Sequence, residues 1–216
     1  MAIRVFLADD HAVVRDGLKA LLETQKDIRV IGTASDGREA FQKIQALGPD
    51  IAILDISMPL LNGIETAEKI LTAAIATRVI ILSMHGTEQH IARAFRAGAR
   101  GYLLKEGAGA EVADAIRDVQ AGRFYVSAKI ARATVNELLQ SQPAAERSPL
   151  DKLSMREREI LQLLAESKSI KQIAKMLGLS PKTVETYKSR LMEKLEIKDM
   201  AALVKFAIQN GLTQLD

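Results

Sequence analysis

The first 122 residues alternate between two kinds of hydrophobic pattern. Short, nearly continuous apolar runs occupy residues 3–8, 28–34, 50–55, 78–82 and 101–104. Between them lie amphipathic segments of helical length, at about residues 12–24, 37–47, 64–74, 88–97 and 109–121. Continuous apolar runs suit strands that are covered on both faces, as strands of a parallel sheet are. The alternation therefore predicts a doubly wound, five-stranded parallel sheet of the α/β class.

The remainder of the chain carries no further strand pattern. Apolar side chains at helical spacing predict a helix over residues 125–140. Residues 141–149 are rich in serine and proline, which is typical of an exposed linker. We therefore predict one domain over residues 1–122, a partly helical linker over 123–149 and a second domain over 150–216.

Four short helices are predicted for the second domain from their end signals. Ser154-Met155-Arg156-Glu157 has the spacing of a capping box, and a helix over about residues 170–177 ends at Gly178. Ser180-Pro181 places a capping residue and a proline at the start of the third helix. The fourth helix covers about residues 199–209, so this domain is predicted to be all-helical.

Composition and charge bear mainly on the environment of the protein. The chain has no cysteine, which excludes disulfides and thiolate metal sites and fits a reducing compartment. Asp9 and Asp10 precede any long apolar region, and no apolar stretch is long enough to span a bilayer. These features predict a cytoplasmic protein with no membrane partner. The net charge of +3 lies in residues 141–216, with 13 basic and 10 acidic residues, and it permits nucleic-acid binding without requiring it.

Polar side chains stand at the ends of four predicted strands. Asp9 and Asp10 follow the first strand, and Asp55 ends the third. Ser83 closes the fourth strand, and Lys105 follows the fifth. Each residue alone has an ordinary explanation, because aspartates after strands often form caps or turns. Together they meet at the carboxyl edge of a parallel sheet, where crowded carboxylates favour a cation such as Mg²⁺ and a phosphoryl group.

This set of residues also has a recognisable order. Asp9-Asp10 is followed by Asp55-Ile56-Ser57-Met58-Pro59, then Gly63, Ser83 and Lys105. In this order, residues 1 to about 122 resemble the receiver domain of bacterial two-component response regulators. The resemblance implies a flavodoxin-like fold with strand order 2-1-3-4-5. It also implies that a histidine kinase is the partner that supplies a phosphoryl group.

The resemblance assigns roles by position in the pocket. Asp55 would be the nucleophile that accepts the phosphoryl group. Asp10, Asp55 and the backbone carbonyl of Ser57 would hold Mg²⁺, and Asp9 would support the site. These roles suit phosphoryl transfer, because such transfer depends mainly on positioning and charge neutralisation.

Three further residues take roles from the same resemblance. Lys105 and Ser83 would contact the phosphoryl oxygens. Tyr102 would be the aromatic side chain that changes rotamer when Ser83 moves, although a half-buried core position is an equally ordinary role for it. Glu106 stands where many receivers have proline, which removes the usual reason for a cis peptide after Lys105.

The third helix of the tail has two unlike faces. Val184, Tyr187, Leu191 and Leu195 form an apolar stripe. Polar residues of the kinds that contact phosphates and base edges face elsewhere: Lys182, Thr183, Glu185, Thr186, Lys188 and Ser189. Two short helices joined at Gly178-Leu179 have helix-turn-helix spacing. On this pattern alone, a solvated surface helix is the more ordinary interpretation.

A longer sequence match favours nucleic-acid binding. Leu153–Leu161, Lys171–Ala174 and Ser180–Tyr187 are similar to the LuxR-type DNA-binding domain over about residues 150–212. With the receiver, the chain resembles the NarL/FixJ class of transcriptional regulators. The match implies that the third tail helix reads double-stranded DNA and that the fourth pairs two copies. Phosphate contacts would come from Lys182, Thr183 and Lys188, and base contacts from Glu185, Thr186 and Ser189.

The combined expectation is a DNA-binding transcriptional regulator controlled by phosphorylation of Asp55. It would form a homodimer when phosphorylated and would not turn over a separate substrate. One alternative is a phosphatase or hydrolase with Asp55 as nucleophile, although Ser57 stands where its general acid would serve best. A second alternative is a receiver that acts through protein contacts without DNA.

Overall fold

The apolar runs of the first part of the chain form one parallel sheet. The computed structural model describes residues 2–130 and 149–213, and the chain divides into two units, Met1–Gln142 and Pro143–Asp216. The strands are β1 (Ile3–Ala8), β2 (Ile28–Ala34), β3 (Ile51–Asp55), β4 (Arg78–Ser83), β5 (Ala99–Leu104) and β6 (Tyr125–Val126). Their order is β2-β1-β3-β4-β5-β6, and neighbouring strands pair in parallel. The five long strands confirm the predicted doubly wound α/β class.

Helices cover both faces of this sheet. They are α1 (Ala12–Glu23), α2 (Gly37–Leu47), α3 (Gly63–Thr72), α4 (Glu88–Arg96) and α5 (Ala108–Gln120). Successive strand side chains point to opposite faces, so Val5 packs with residues of α1 and α5. Its neighbour Phe6 packs with residues of α2, α3 and α4. Coverage on both faces explains why the strands are apolar at nearly every position.

The sixth strand corrects the predicted helix over residues 125–140. Tyr125 and Val126 pair with Gly101 and Tyr102 of β5, and the Ser127 N–H donates to the Tyr102 carbonyl at 3.0 Å. The exposed edge of β5 offers backbone donors and acceptors, and satisfying them outweighs the helical pattern of the side chains. Residues 131–140 of the predicted helix lie outside the described residues.

The second unit is helical, as predicted. A 3₁₀ turn over Pro149–Lys152 leads into α6 (Met155–Ala165), α7 (Ile170–Leu177), α8 (Pro181–Leu195) and α9 (Met200–Gln209). Ser154 and Ser169 each form a reciprocal capping box at the start of α6 and α7. Gly178 ends α7 at φ +64°, a conformation that costs glycine little. The end signals of the sequence therefore correspond to the observed helix ends.

One ion pair and one hydrogen bond join α6 to α8 and α7. Lys194 Nζ lies 2.7 Å from Glu157 Oε2, which joins the end of α8 to the start of α6. Arg156 pairs with Glu159 at 2.7 Å and also donates to the Leu177 carbonyl at the end of α7. Both glutamates are buried, so these contacts satisfy charges that would otherwise be costly. The arrangement fixes α7 and α8 on α6 and leaves one face of α8 exposed.

Candidate functional site

The carboxyl ends of β1, β3 and β5 bring three charged side chains together. Asp9 follows β1, Asp55 ends β3 and Lys105 follows β5. Lys105 Nζ lies 2.9 Å from Asp9 Oδ2 and 3.0 Å from Asp55 Oδ2. All three side chains are at most 9% exposed, so the charges attract in a medium of reduced polarity. This contact is the one that parallel strand ends predict.

Four acidic or imidazole groups in this pocket lie close enough to share one cation. They are Asp9, Asp10, His11 and Asp55, and one ligand atom from each lies within 4.8 Å of the others. Within the described residues, the buried Asp9 Oδ2 and Asp55 Oδ2 make no hydrogen bond, although Lys105 lies at ion-pair distance. His11 is the member that the sequence did not indicate. An exposed histidine after a strand carries no distinguishing pattern.

The pocket strongly affects the ionisation of its members. Burial, followed by the charge of Asp9, raises the pKa of Asp55 to about 6 against the opposing effect of Lys105. Burial disfavours the charge on Lys105, but the carboxylates of Asp55 and Asp9 outweigh it and raise the lysine pKa. A site with excess negative charge in a buried position favours the entry of a cation.

Ser83 and Tyr102 meet at one backbone carbonyl beside the pocket. The Ser83 hydroxyl donates to the His85 carbonyl at 3.0 Å and accepts from the His85 N–H at 3.0 Å. The Tyr102 hydroxyl donates to the same carbonyl at 2.5 Å. Tyr102 is fully buried, not half-buried, and burial raises its pKa to about 12. The loop from β4 to α4 is therefore fastened to both side chains.

The loop after β3 packs the start of α3 against the backbone of Asp55. Ser57 is half-buried in this loop. The Gly63 N–H donates to the Ile56 carbonyl at 3.0 Å, and a Cβ at Gly63 would stand 2.1 Å from the Asp55 carbonyl oxygen. Leu60 has φ +67°, a conformation that disfavours residues with a side chain. The start of α3 thus packs directly against the backbone of Asp55. The peptide between Lys105 and Glu106 is trans.

The second candidate site is the exposed face of α8. Lys182, Glu185, Thr186 and Ser189 are exposed on this helix, as predicted for a reading helix. Arg190 is exposed as well and was missed, although its position four residues after Thr186 could have indicated it. An exposed polar helix that follows a turn has the form of a recognition helix.

Two predicted contacts of α8 are less exposed than the pattern suggested. Lys188 is half-buried, on the side of the helix that carries Val184 and Leu191. Thr183 is also half-buried, and its hydroxyl lies 2.8 Å from that of Ser180, the N-cap residue. The exposed face of α8 therefore centres on Lys182, Thr186 and Ser189.

The fold and its two sites define a signalling protein with an acidic pocket in its α/β unit and a second unit of helix-turn-helix form. Residues 5–117 match the family described as response regulator receiver domain, and residues 151–207 match bacterial regulatory proteins of the luxR family. The first match alone covers more than half of the chain.

Several relatives match this chain over nearly its whole length. The chain is 38% identical to the oxygen regulatory protein NreC of Staphylococcus haemolyticus, over 97% of this chain and 99% of that one. The crystal structure of ChrA, the response regulator of a heme-sensing two-component system, is 36% identical, with a TM-score of 0.51 over 98% of each chain. A structure of the response regulator RcsB with DNA is 28% identical, with a TM-score of 0.55, over 95% of this chain and 98% of that one.

The chain is thus a two-component response regulator of the NarL/FixJ class, with a receiver domain and a LuxR-type DNA-binding domain. As such it is a DNA-binding transcriptional regulator, and a histidine kinase is the kind of partner that its receiver indicates. Among the helices of residues 2–130 and 149–213, none combines the length and apolarity that a membrane crossing needs.

Proposed function

We propose that Asp55 accepts a phosphoryl group from a histidine kinase and that this event controls DNA binding by α8. The observation that carries the proposal is the position of the Lys105 ammonium, which lies within 3.0 Å of both Asp9 and Asp55 at one buried sheet edge. In the transfer, an Asp55 oxygen attacks phosphorus while the bond from phosphorus to the kinase histidine breaks. The Lys105 ammonium then faces the phosphoryl oxygens, and its positive charge offsets the charge that develops on them.

We propose that Asp10, Asp55 and the Ser57 carbonyl hold Mg²⁺ and that Asp9 supports them. Two buried carboxylate oxygens without hydrogen bonds within the described residues, and a donor set made mainly of hard oxygens, fit this ion. When bound, Mg²⁺ supplies positive charge to the phosphoryl oxygens. Asp9 also orients the loop, since its Oδ1 accepts the His11 N–H at 2.9 Å.

Without Mg²⁺, Asp55→Asn protein should be more stable than wild type by about 3 kcal/mol at about pH 7.5 and by only about 1 kcal/mol at about pH 4.5. The pKa of Asp55 is about 6 in the folded state, above its ordinary 3.8, so folding favours the protonated form. The cost of the buried charge is therefore absent well below pH 3.8. It grows as the pH rises from 3.8 to about 6 and is complete above about pH 6. Urea unfolding in chelator at the two pH values measures it. An advantage that shrinks as the pH rises would contradict the assignment.

Ser83 and Tyr102 are the proposed sensors of the phosphoryl group. A phosphoryl oxygen would take the Ser83 hydroxyl as a donor, which would release the His85 carbonyl from one of its two hydroxyl donors. We infer that this changes the loop between β4 and α4, and with it the surface of residues 87–97 and 101–104. Coupling of this kind requires only a few kcal/mol of difference between two states.

We propose that α8 enters the major groove and that α9 pairs two copies of the phosphorylated protein on one duplex. Lys182, Thr183 and Lys188 would contact phosphates, and Glu185, Thr186 and Ser189 would face bases. The exposure of Lys182, Glu185, Thr186 and Ser189 supports this assignment. Two copies related by two-fold symmetry would read half-sites about one helical turn apart.

Lys182→Ala should make duplex binding less dependent on salt, with the slope of log affinity against log salt reduced by about 1. The expected cause is the loss of one phosphate contact and of the counterion that it displaces. The matched control is Lys26→Ala, which removes the same charge from an exposed lysine of the receiver. Fluorescence anisotropy across a salt series measures both slopes. Equal slopes in the two variants would place the phosphate contact elsewhere.

The receiver is proposed to modify itself and to turn over no separate substrate. Incubation with an aryl phosphate should therefore release no more product than a blank does. The experiment that tests the whole function captures genomic fragments on the protein before and after treatment with a small phosphodonor. We expect specific fragments to be enriched only after treatment, and equal capture in both conditions would contradict the proposal.

A further inference from the structure

His11 contacts both carboxylates of the acidic pair that precedes it. Its backbone N–H donates to Asp9 Oδ1 at 2.9 Å, and its side-chain Nδ1 lies 2.7 Å from Asp10 Oδ1. An ionised carboxylate only accepts hydrogen bonds, so Nδ1 carries the hydrogen. His11 is also the N-cap residue of α1, yet its side chain makes no capping bond to the helix. Capping therefore does not explain the orientation of this ring.

The side chain of Asp10 is more exposed to solvent than those of the other acidic residues of the pocket. Its side chain is 33% exposed, whereas those of Asp9 and Asp55 are 3% and 2% exposed. In the part of the chain that the structure describes, His11 supplies the contact that the Asp10 carboxylate makes. An exposed carboxylate with several rotamers loses side-chain entropy when a cation fixes it.

We propose that His11 is a positioning residue for the magnesium site, one that holds the Asp10 carboxylate in its binding orientation before the ion arrives. The inference rests on the proposed function, because it presumes that Asp10 is a ligand of Mg²⁺. Partners that hydrogen-bond to ligating groups commonly change metal affinity by about 10- to 100-fold. In this proposal the effect passes through the hydrogen that Nδ1 donates, and coordination by the ring is a separate role that the comparison of two metal ions below distinguishes.

The test compares His11→Leu and His11→Asn with wild type in the full-length chain. The asparagine amide places an N–H donor near the position of the imidazole Nδ1, and leucine offers none. Isothermal titration with MgCl₂ alone should give a dissociation constant about tenfold higher for His11→Leu and within about threefold of wild type for His11→Asn. Titration with MnCl₂ should give the same ratios, because the ring is not a ligand. In chelator, His11→Leu should melt near wild type, since the ring makes no capping bond, and His11→Asn should melt no lower, because asparagine is a favourable N-cap residue.

Three results would overturn the inference while leaving the magnesium site intact. They are a His11→Leu protein with wild-type affinity, a His11→Asn protein as weak as His11→Leu, or a loss that is much larger for Mn²⁺ than for Mg²⁺. The last would make His11 a ligand, because Mn²⁺ is a transition-metal ion and accepts a nitrogen ligand more readily than Mg²⁺, which prefers oxygen. A different result would show that the proposed magnesium site itself is wrong: Asp10→Asn protein that binds Mg²⁺ as tightly as wild type does.

Discussion

Asp55→Asn protein should take up no phosphoryl group from a small phosphodonor in the presence of Mg²⁺, whereas wild type should become labelled. The amide of asparagine lacks the carboxylate oxygen that attacks phosphorus. Asp9 is buried as well and is therefore the other carboxylate to consider. Asp9 shares the contact with Lys105, but it follows β1 instead of ending the central strand β3. We therefore expect label in Asp55→Asn protein to fall to the level of a blank.

The matched control for this substitution is Asp114→Asn. Asp114 is an exposed aspartate of α5 whose side chain is 72% exposed and pairs with Arg117 on the surface. Its removal changes the charge of the receiver by the same amount and should leave labelling unchanged. Phosphorylation is measured by retention of label on the intact chain under conditions that preserve acyl phosphates. Persistent label in Asp55→Asn protein would show that another residue is the nucleophile.

Gly63→Ala should destabilise the receiver by at least about 3 kcal/mol. The new Cβ would stand 2.1 Å from the carbonyl oxygen of Asp55 and 2.8 Å from its carbonyl carbon, so the backbone itself must move. Asp55 lies on the central strand β3, which pairs on both sides and cannot shift without disturbing β1 and β4. We expect a lower urea midpoint and slower labelling of the displaced Asp55.

Gly17→Ala provides the control for a change from glycine to alanine in the same unit. Gly17 lies within α1, and a Cβ there meets no atom within 4 Å. Alanine should stabilise the helix by about 0.5–1 kcal/mol through its higher helix propensity. The urea midpoints of the two variants should therefore shift in opposite directions from that of wild type. If Gly63→Ala unfolds at the wild-type midpoint, the close packing of α3 on Asp55 is wrong.

The pocket was predictable because its residues stand at the ends of buried strands. Parallel strands end at one edge, so the positions of Asp9, Asp55 and Lys105 after apolar runs placed them together before any geometry was known. The distances of 2.9 and 3.0 Å from Lys105 to Asp9 and Asp55 agree with that expectation. The same reasoning placed Ser83 at the end of β4.

Features that rest on backbone pairing were not predictable from side-chain patterns. The strand of Tyr125 and Val126 is only two residues long and forms because the edge of β5 has free backbone groups. Apolar spacing in the surrounding residues pointed instead to a helix. The shared carbonyl of His85 likewise depends on the local course of a loop, which has no periodicity.

Side-chain identity alone also does not reveal how a polar residue is used. His11 has no pattern that separates it from an ordinary exposed histidine, although it contacts both aspartates of the pocket. On α8, helical spacing placed Lys188 among the polar residues, but its position beside the apolar stripe leaves it half-buried. Fine differences of exposure on one helix depend on the packing of neighbouring helices, which the sequence does not specify residue by residue.

The two units serve one function only if phosphorylation in the receiver changes DNA binding in the tail. The direct measurement is the affinity of the full-length protein for a captured duplex, with and without a phosphodonor and Mg²⁺. We expect the phosphodonor to tighten binding by wild type at least about tenfold, in the range of typical coupling energies, and to leave Asp55→Asn protein unchanged. Equal affinities of wild type in the two conditions, or the same gain in Asp55→Asn protein, would contradict the account.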